Sequence, residues 1–439
     1  MQSKAPKNPN YAATVVALDK FVDLPNCDNV KAALIFGNSV IVSKSAQSGE
    51  VGLFFPVECQ LSPEFLGANN LFRKPEWGNF DPNQKGYFEQ HGRIKAVKFR
   101  GNKSEGFWIP ISSLDYIGHN LNAWPVDLPY IFDSIGDHEI CCKYVPNTKN
   151  KGQQNIRGRQ PRLEDKIVEG QFRFHYDTEN LRRNVHKIQP TDWISITDKW
   201  HGTSVVISNV LVNRQLHWYE KVLKFLGVPI KEHEYGMAYS SRRVLKEVNG
   251  ETKTNFHFYK EDIWGIVANE VKDVIPKGYT LYGEIVGFTP EGSQIQKGYT
   301  YGCPVGGHRF LVYRVTNTNP DGKIVELSWP QMVEFCTKYG LEIVKELWYG
   351  QAVNFAPQLP LSEHWNESFL EALEQLYIKD QMCAYNNHLV PAEGIVVRVD
   401  RLEQSEAFKL KNFRFLEHES KELDKGEVDI ETEESDTSN

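Results

Sequence analysis

Thr197-Asp198-Lys199-Trp200-His201-Gly202-Thr203-Ser204 is the stretch on which the fold of this 439-residue chain turns. Before it, Trp193-Ile194-Ser195-Ile196-Thr197 alternates like a strand. After it, Thr203-Ser204-Val205-Val206-Ile207-Ser208 is a β-branched run suited to a strand buried on at least one face. Lys199 is thus placed at a strand-turn-strand junction, with Gly202 letting the backbone come close to a ligand. A lysine amine attacks phosphorus only when unprotonated, so it needs burial, neighbouring positive charge or a metal to lower a pKa near ~10.4. By itself the segment also fits a hairpin with an exposed lysine, and the choice rests on the rest of the chain.

Four further segments follow in order. Tyr282-Gly283-Glu284-Ile285-Val286-Gly287 sets a carboxylate in an apolar, β-rich stretch, where an acid is costly unless paired or metal-bound. Phe310-Leu311-Val312-Tyr313-Arg314-Val315 is another strand, whose aromatic residues either stack on a base or fill a core. Glu393-Gly394-Ile395-Val396-Val397-Arg398 opens a strongly β-branched strand on a second carboxylate. Phe408-Lys409-Leu410-Lys411-Asn412 alternates, putting Phe408 and Leu410 on one face and Lys409 and Lys411 on the other. Those lysines form either a solvated, edge-protecting face or a two-pronged clamp on a phosphate.

The order and chemistry of these segments resemble the ligase and capping-enzyme superfamily of covalent nucleotidyltransferases, and specifically its RNA ligases. Lys199 to Thr203 is similar to motif I, Ser241-Arg242-Arg243 to motif Ia, Tyr282-Gly283-Glu284 to motif III, Phe310 to Val315 to motif IIIa, Glu393 to Val396 to motif IV, and Lys409 to Asn412 to motif V. His201 followed by Gly-Thr, and Ile295-Gln296-Lys297 leading to Tyr301-Gly302, resemble nick-sealing RNA ligases more than DNA ligases or capping enzymes. The likeness spans about residues 170 to 415.

The resemblance implies three steps. Lys199 attacks the α-phosphorus of ATP to give a lysyl-adenylate and release pyrophosphate, AMP passes to a 5′-phosphate end, and a 3′-hydroxyl then displaces AMP to close the phosphodiester. Such chemistry needs a divalent cation and fixed positive charge around the phosphate oxygens. The likeness assigns Glu393 to Mg²⁺ or Mn²⁺ and leaves Glu284 between metal and ribose. It gives Lys409 and Lys411 the α-phosphate, Arg242 the nucleotide or the end being joined, and Tyr313 the adenine. His201 and Gly202 join the ATP site, His201 standing where the wider superfamily has aspartate. A DNA ligase, a guanylyltransferase with the same lysine adduct, and a nucleic-acid-binding protein with a decayed catalytic domain are the alternatives.

The expected fold class is α+β. It comprises an ATP-grasp-like nucleotidyltransferase domain of antiparallel sheets with helices (171–416), preceded by an N-terminal OB-like β-barrel (1–145) and a basic linker (146–170). The barrel rests on short strands such as Ala13 to Leu18, Ala33 to Phe36, Val40 to Val42, Val51 to Phe55 and Arg93 to Phe99, and resembles the OB-like domain that some RNA ligases carry ahead of the catalytic one. Arg93 to Phe99 alternates basic with apolar residues, as either a phosphate-facing or an ordinary amphipathic strand. Asn147 to Leu163 holds five basic residues and no acid, and either closes over a duplex or merely solubilises. Ser362 to Asp380 has the apolar spacing of an amphipathic helix.

Glu417 to Asn439 holds ten acids against Lys421 and Lys425 and is expected to be a disordered tail. It supplies −8 of charge, so the net −7 of the chain conceals a near-neutral body. With 40% hydrophobic residues, no apolar run long enough to span a bilayer and no signal-peptide pattern, an intracellular monomer without a membrane partner is expected. Its expected partner is RNA, most simply a nicked duplex, with RNA/DNA hybrid ends also open. The seven cysteines form no Cys-x-x-Cys set, so free thiols are expected and no zinc site.

Overall fold

Two sheets meet at Lys199. The computed structural model describes residues 5–118, 129–146, 162–252, 261–379, 381–402 and 404–426. The main strands of these sheets are β1 (Trp193–Lys199), β2 (Thr203–Asn213), β3 (His233–Ser240), β4 (Tyr279–Gly287), β5 (His308–Thr318), β6 (Glu346–Gln351), β7 (Gly394–Val399) and β8 (Glu406–Lys411). The helices are α1 (Trp218–Phe225), α2 (Ile263–Val271), α3 (Trp329–Tyr339), α4 (Trp365–Tyr377) and α5 (Phe413–Asp424). A five-stranded sheet runs Glu179–Asn180, β8, β7, β1, β6. A seven-stranded sheet runs Glu251–Thr252, Leu245–Val248, β3, β2, β4, β5, Ile324–Glu326. Apart from Glu179–Asn180, which pairs in parallel with β8, neighbouring strands are antiparallel.

β1 and β2 lie in different sheets, so the turn Trp200-His201-Gly202 carries the chain from one sheet to the other. The hairpin reading of Lys199 is thereby excluded. In the five-stranded sheet, period-2 alternation sorts the faces. Ile194, Ile196, Ile395, Val397, Phe408 and Leu410 pack against Trp365, Phe369 and Leu373 of α4. The alternate residues, Ser195, Thr197, Lys199, Val396, Arg398, Lys409 and Lys411, line a cleft. The seven-stranded sheet is covered by α2 and α3 through Trp264, Val267, Trp329 and Met332, which pack with Ile207, Leu281 and Leu311.

The N-terminal half holds a four-stranded sheet in the order Tyr130–Phe132, Ala13–Ala17, Val51–Pro56, Gly106–Pro110, a three-stranded sheet from Lys20 to Ser43, and several two-stranded pieces. Val30–Ile35 and Asn38–Ser43 are joined through Phe36 and Gly37, both at positive φ, the backbone that a tight hairpin turn requires. The predicted strands Ala13 to Leu18 and Val51 to Phe55 are present with boundaries shifted by one residue. Among the described residues there is no closed barrel: the edge strands of the four-stranded sheet do not pair with each other.

Three expectations change. Only Val97–Phe99 of the Arg93 to Phe99 segment is a strand, and Arg93 is buried against Glu58 (2.8 Å) and Asp424 (3.3 Å), so it does not face a phosphate backbone. Leu163 is buried with Val212 and Leu245, so the chain from Arg162 to Gly170 packs on the catalytic domain, whereas linker residues 147–161 lie outside the described residues. Glu417 to Asp424, expected to open the disordered tail, is helical in α5. Two of its acids meet cations of the N-terminal half, with Glu417 3.8 Å from Lys98 and Asp424 2.8 Å from Lys95. Residues 427–439 of that tail lie outside the described residues.

Candidate active site

Lys199 ends β1 opposite Gly394 of β7, which brings its Nζ to 2.9 Å from Oε1 of Glu393. Gly394 has φ +147°, and a Cβ there would lie 2.0 Å from the carbonyl oxygen of Leu410. The Glu-Gly pair therefore sets a carboxylate where two strands touch. Glu393 is 3% exposed. Burial alone would raise its pKa, but Lys199, Lys411 and His201 hold it below the ordinary carboxylate range. Its second oxygen, Oε2, is buried with no hydrogen-bond partner among the described residues.

Lys411 lies opposite Gly394 on β8, with its Nζ 3.5 Å from the same Glu393 oxygen and 3.4 Å from Glu419 of α5. Lys409 lies two residues back on the same face, opposite Val396. Burial, then Lys411, Arg242 and Lys199, push its amine down to about 7, so this face gathers more positive charge than it can keep protonated without an anion. Phe408 and Leu410 are each 1% exposed on the opposite face, as the alternation requires. Arg242 follows β3 and, with Arg243, grips Asp177. Burial alone would raise that carboxyl, and the two guanidiniums and Lys409 hold it low.

The seven-stranded sheet supplies the opposite wall. Glu284 of β4 accepts from the backbone N–H of Gly202 (3.0 Å) and the Ser204 hydroxyl (3.3 Å). A Cβ on Gly202 would lie 2.3 Å from the Ile285 carbonyl oxygen, so the residue makes room for β4. Gly202 also lines the cleft. Tyr313 is the extra residue of a bulge between β4 and β5, since Tyr282 pairs with Arg314 and Gly283 with Val312. Bulges re-aim side chains beside active sites, and Tyr313 lines the cleft with its ring 5.2 Å from that of His175. His201 donates its backbone N–H to the Tyr301 hydroxyl (2.7 Å), and its ring lies edge-on to Tyr299 and Phe415, each 5.0 Å away.

The RNA ligase family model matches residues 192–411, half of the chain and the span that carries Lys199, Arg242, Glu284, Tyr313, Glu393, Lys409 and Lys411. The chain belongs to the RNA ligase family. No curated protein matches the ligase as a relative. Solved structures of similar fold include two mutants of a Naegleria gruberi RNA ligase, one with AMP and Mn and one with ATP and Mn. Each is 14% identical with a TM-score of 0.55, covering 92% of this chain and 98% of the other. The Naegleria enzyme with pyrophosphate gives a TM-score of 0.53 at 13% identity, covering 93% and 98%. The likeness therefore extends through the N-terminal half of the ligase.

All nine site residues expected from the sequence border this one cleft. Sequence reasoning missed groups that reach it from distant segments: Asp177, Glu419 and Tyr11. Gln296, quoted only for its resemblance, holds the turn by donating to the Gly202 carbonyl oxygen (2.7 Å). Among the described residues no group of three or more His, Cys, Asp or Glu is placed to hold a metal. One buried carboxylate with an unused oxygen fits the mode in which Mg²⁺ or Mn²⁺ binds through one or two carboxylates, waters and substrate phosphates. All seven cysteines are free, and no helix of the described residues is long and apolar enough to cross a membrane.

Proposed function

We propose that this ligase joins 3′-hydroxyl to 5′-phosphate ends by an ATP-dependent route through a lysyl-AMP and an adenylylated 5′-phosphate, and that it works in RNA repair at nicks. The observation that carries this reading is the Lys199–Glu393–Lys411 cluster, a nucleophile and a phosphate-binding cation sharing one buried carboxylate. Lys199 attacks the α-phosphorus and expels pyrophosphate, with Lys409 and Lys411 taking the charge that builds on the α-phosphate oxygens. Tyr313 stacks on adenine, and Glu284, occupied by Gly202 and Ser204, is better placed to hold a ribose hydroxyl than a metal. Arg242 turns to the nucleotide or the 5′-phosphate end. Glu393 would hold Mg²⁺ or Mn²⁺, whose charge favours the neutral amine of Lys199 and offsets the phosphates.

The β-rich half before Lys199 is proposed to be the OB-like domain that grips the duplex, acting in a monomer. Its Asn8, Tyr11, Lys143 and Tyr144 reach the cleft, which supports a role in sealing. Sealing of matched RNA and DNA nicks and single strands tests the substrate. Fastest closure of nicks with an RNA 3′-hydroxyl is expected, and equal closure of single strands would refute the nick assignment.

A further inference from the structure

Between β2 and β3 the chain leaves the catalytic sheet at Asn213 and returns at His233, and the excursion carries α1. No residue of α1 is buried. Trp218 is 78% exposed, Phe225 89% and Leu226 68%, with Tyr219, Val222 and Val228 also exposed, so one short element holds a contiguous apolar patch. Trp218, Tyr219, Val222, Phe225 and Leu226 fall at the spacing of one helical face, with Lys221 and Lys224 off it. The helix is held at its base by polar contacts. Arg214 pairs with Glu220, Lys224 with Glu232, and the His217 backbone N–H donates to Glu220 (2.8 Å). Its apolar face thus stays largely outside the core.

The geometry points to a lipid surface bearing anionic headgroups as the occupant of this face. The excursion has four cations, Arg214, Lys221, Lys224 and Lys231, against Glu220 and Glu232. Both carboxylates are paired, and Lys221 and Lys231 have no ion-pair partner among the described residues. Tryptophan and phenylalanine on one face with lysines on the other is the pattern of helices that lie in the headgroup region. A second protein is disfavoured by area: an eight-residue helix is about 12 Å long and about 10 Å wide, far short of the ~800 Å² a side of a stable interface. Single-stranded RNA would use the rings but leave Val222, Leu226 and Val228 in water. The eleven residues of β2 set α1 roughly 33 Å along the strand from the turn after Lys199, so docking leaves the cleft open. The absence of a spanning segment does not bear on such an element, which lies on a bilayer without crossing it.

The test is co-sedimentation of the full-length ligase with vesicles of phosphatidylcholine, with and without phosphatidylserine, for the wild type, a Trp218→Ser/Phe225→Ser variant and a Lys221→Glu/Lys231→Glu variant. The wild type is expected to pellet with the anionic vesicles, at least tenfold less so for the serine variant, and the glutamate variant is expected to lose the preference for phosphatidylserine. All three should seal nicks equally without vesicles, which shows that the variants are folded. No pelleting, or pelleting indifferent to the variants, would overturn the proposal. So would a dimer in light scattering that the serine variant disperses, or weakened binding of a labelled single-stranded RNA by that variant without any vesicle binding.

Discussion

Lys409 carries an unusual burden. With its amine pushed down to about 7, it is only half protonated near neutrality, and three other cations oppose its charge. An α-phosphate beside it would restore the ordinary lysine value, so nucleotide binding takes up a proton. The sign follows: above about pH 7 the free ligase must protonate Lys409 to bind, and ATP affinity should fall roughly fifteenfold between pH 7 and pH 8.5. Calorimetry in buffers of different ionisation enthalpy would show the proton uptake, and Lys409→Arg should flatten the profile. Glu393→Gln should slow adduct formation on the order of 10² or more, because Lys199 and Lys411 lose the carboxylate they share; single-turnover labelling measures it. That Lys409 and Lys411 share one face was legible from alternation, since Phe408 and Leu410 mark the buried face of β8, but alternation left that face open between solvent and a phosphate. Glu419, Asp177 and Tyr11 were not, because nothing in a lone acid or phenol at those positions says which distant lysine or arginine the fold will bring to it.

At the scale of elements, the site depends on strands brought closer than side chains allow. Gly394 lets β7 lie against β8, and Gly394→Ala should cost roughly 2–4 kcal/mol by setting a Cβ 2.0 Å from the Leu410 carbonyl oxygen at a left-handed φ. Denaturant titration would read the loss, and adduct formation should fall more than stability alone explains, since Glu393 and Lys411 flank the strained contact. Elements with strong periodicity were readable: the apolar spacing near Phe369 and Leu373 gave α4 to within a few residues of Trp365–Tyr377. Helix α5 was misread because its acids, taken alone, look solvated. Arg93, Lys95 and Lys98, which meet Asp424 and Glu417, stand more than 300 residues earlier in the chain. The bulge that re-aims Tyr313 left no mark in composition either.

Across the whole molecule, α5 is a strap. Phe415 packs on His201, Glu419 meets Lys411, Ser420 donates to Glu58 (3.2 Å), and Asp424 meets Arg93 and Lys95. The motif V end of the site is thereby tied to the N-terminal half. Arg93→Ala would leave Glu58 buried without its guanidinium, and burial already raises that carboxyl. It should destabilise the ligase by roughly 3–5 kcal/mol, measured by denaturant titration, and under conditions that keep it folded sealing should suffer more than adduct formation. The bond that Arg182 donates to the Gly37 carbonyl oxygen (2.8 Å), 145 residues away in the chain, was hidden from a linear reading. Everything converges on one amine. Incubating the wild-type and Lys199→Ala ligases with α-labelled ATP or GTP and a divalent cation, then mapping the label by peptide mass, tests it directly. An alkali-stable, acid-labile AMP adduct from ATP is expected on Lys199 alone, and label from GTP, or an adduct that survives Lys199→Ala, would contradict it.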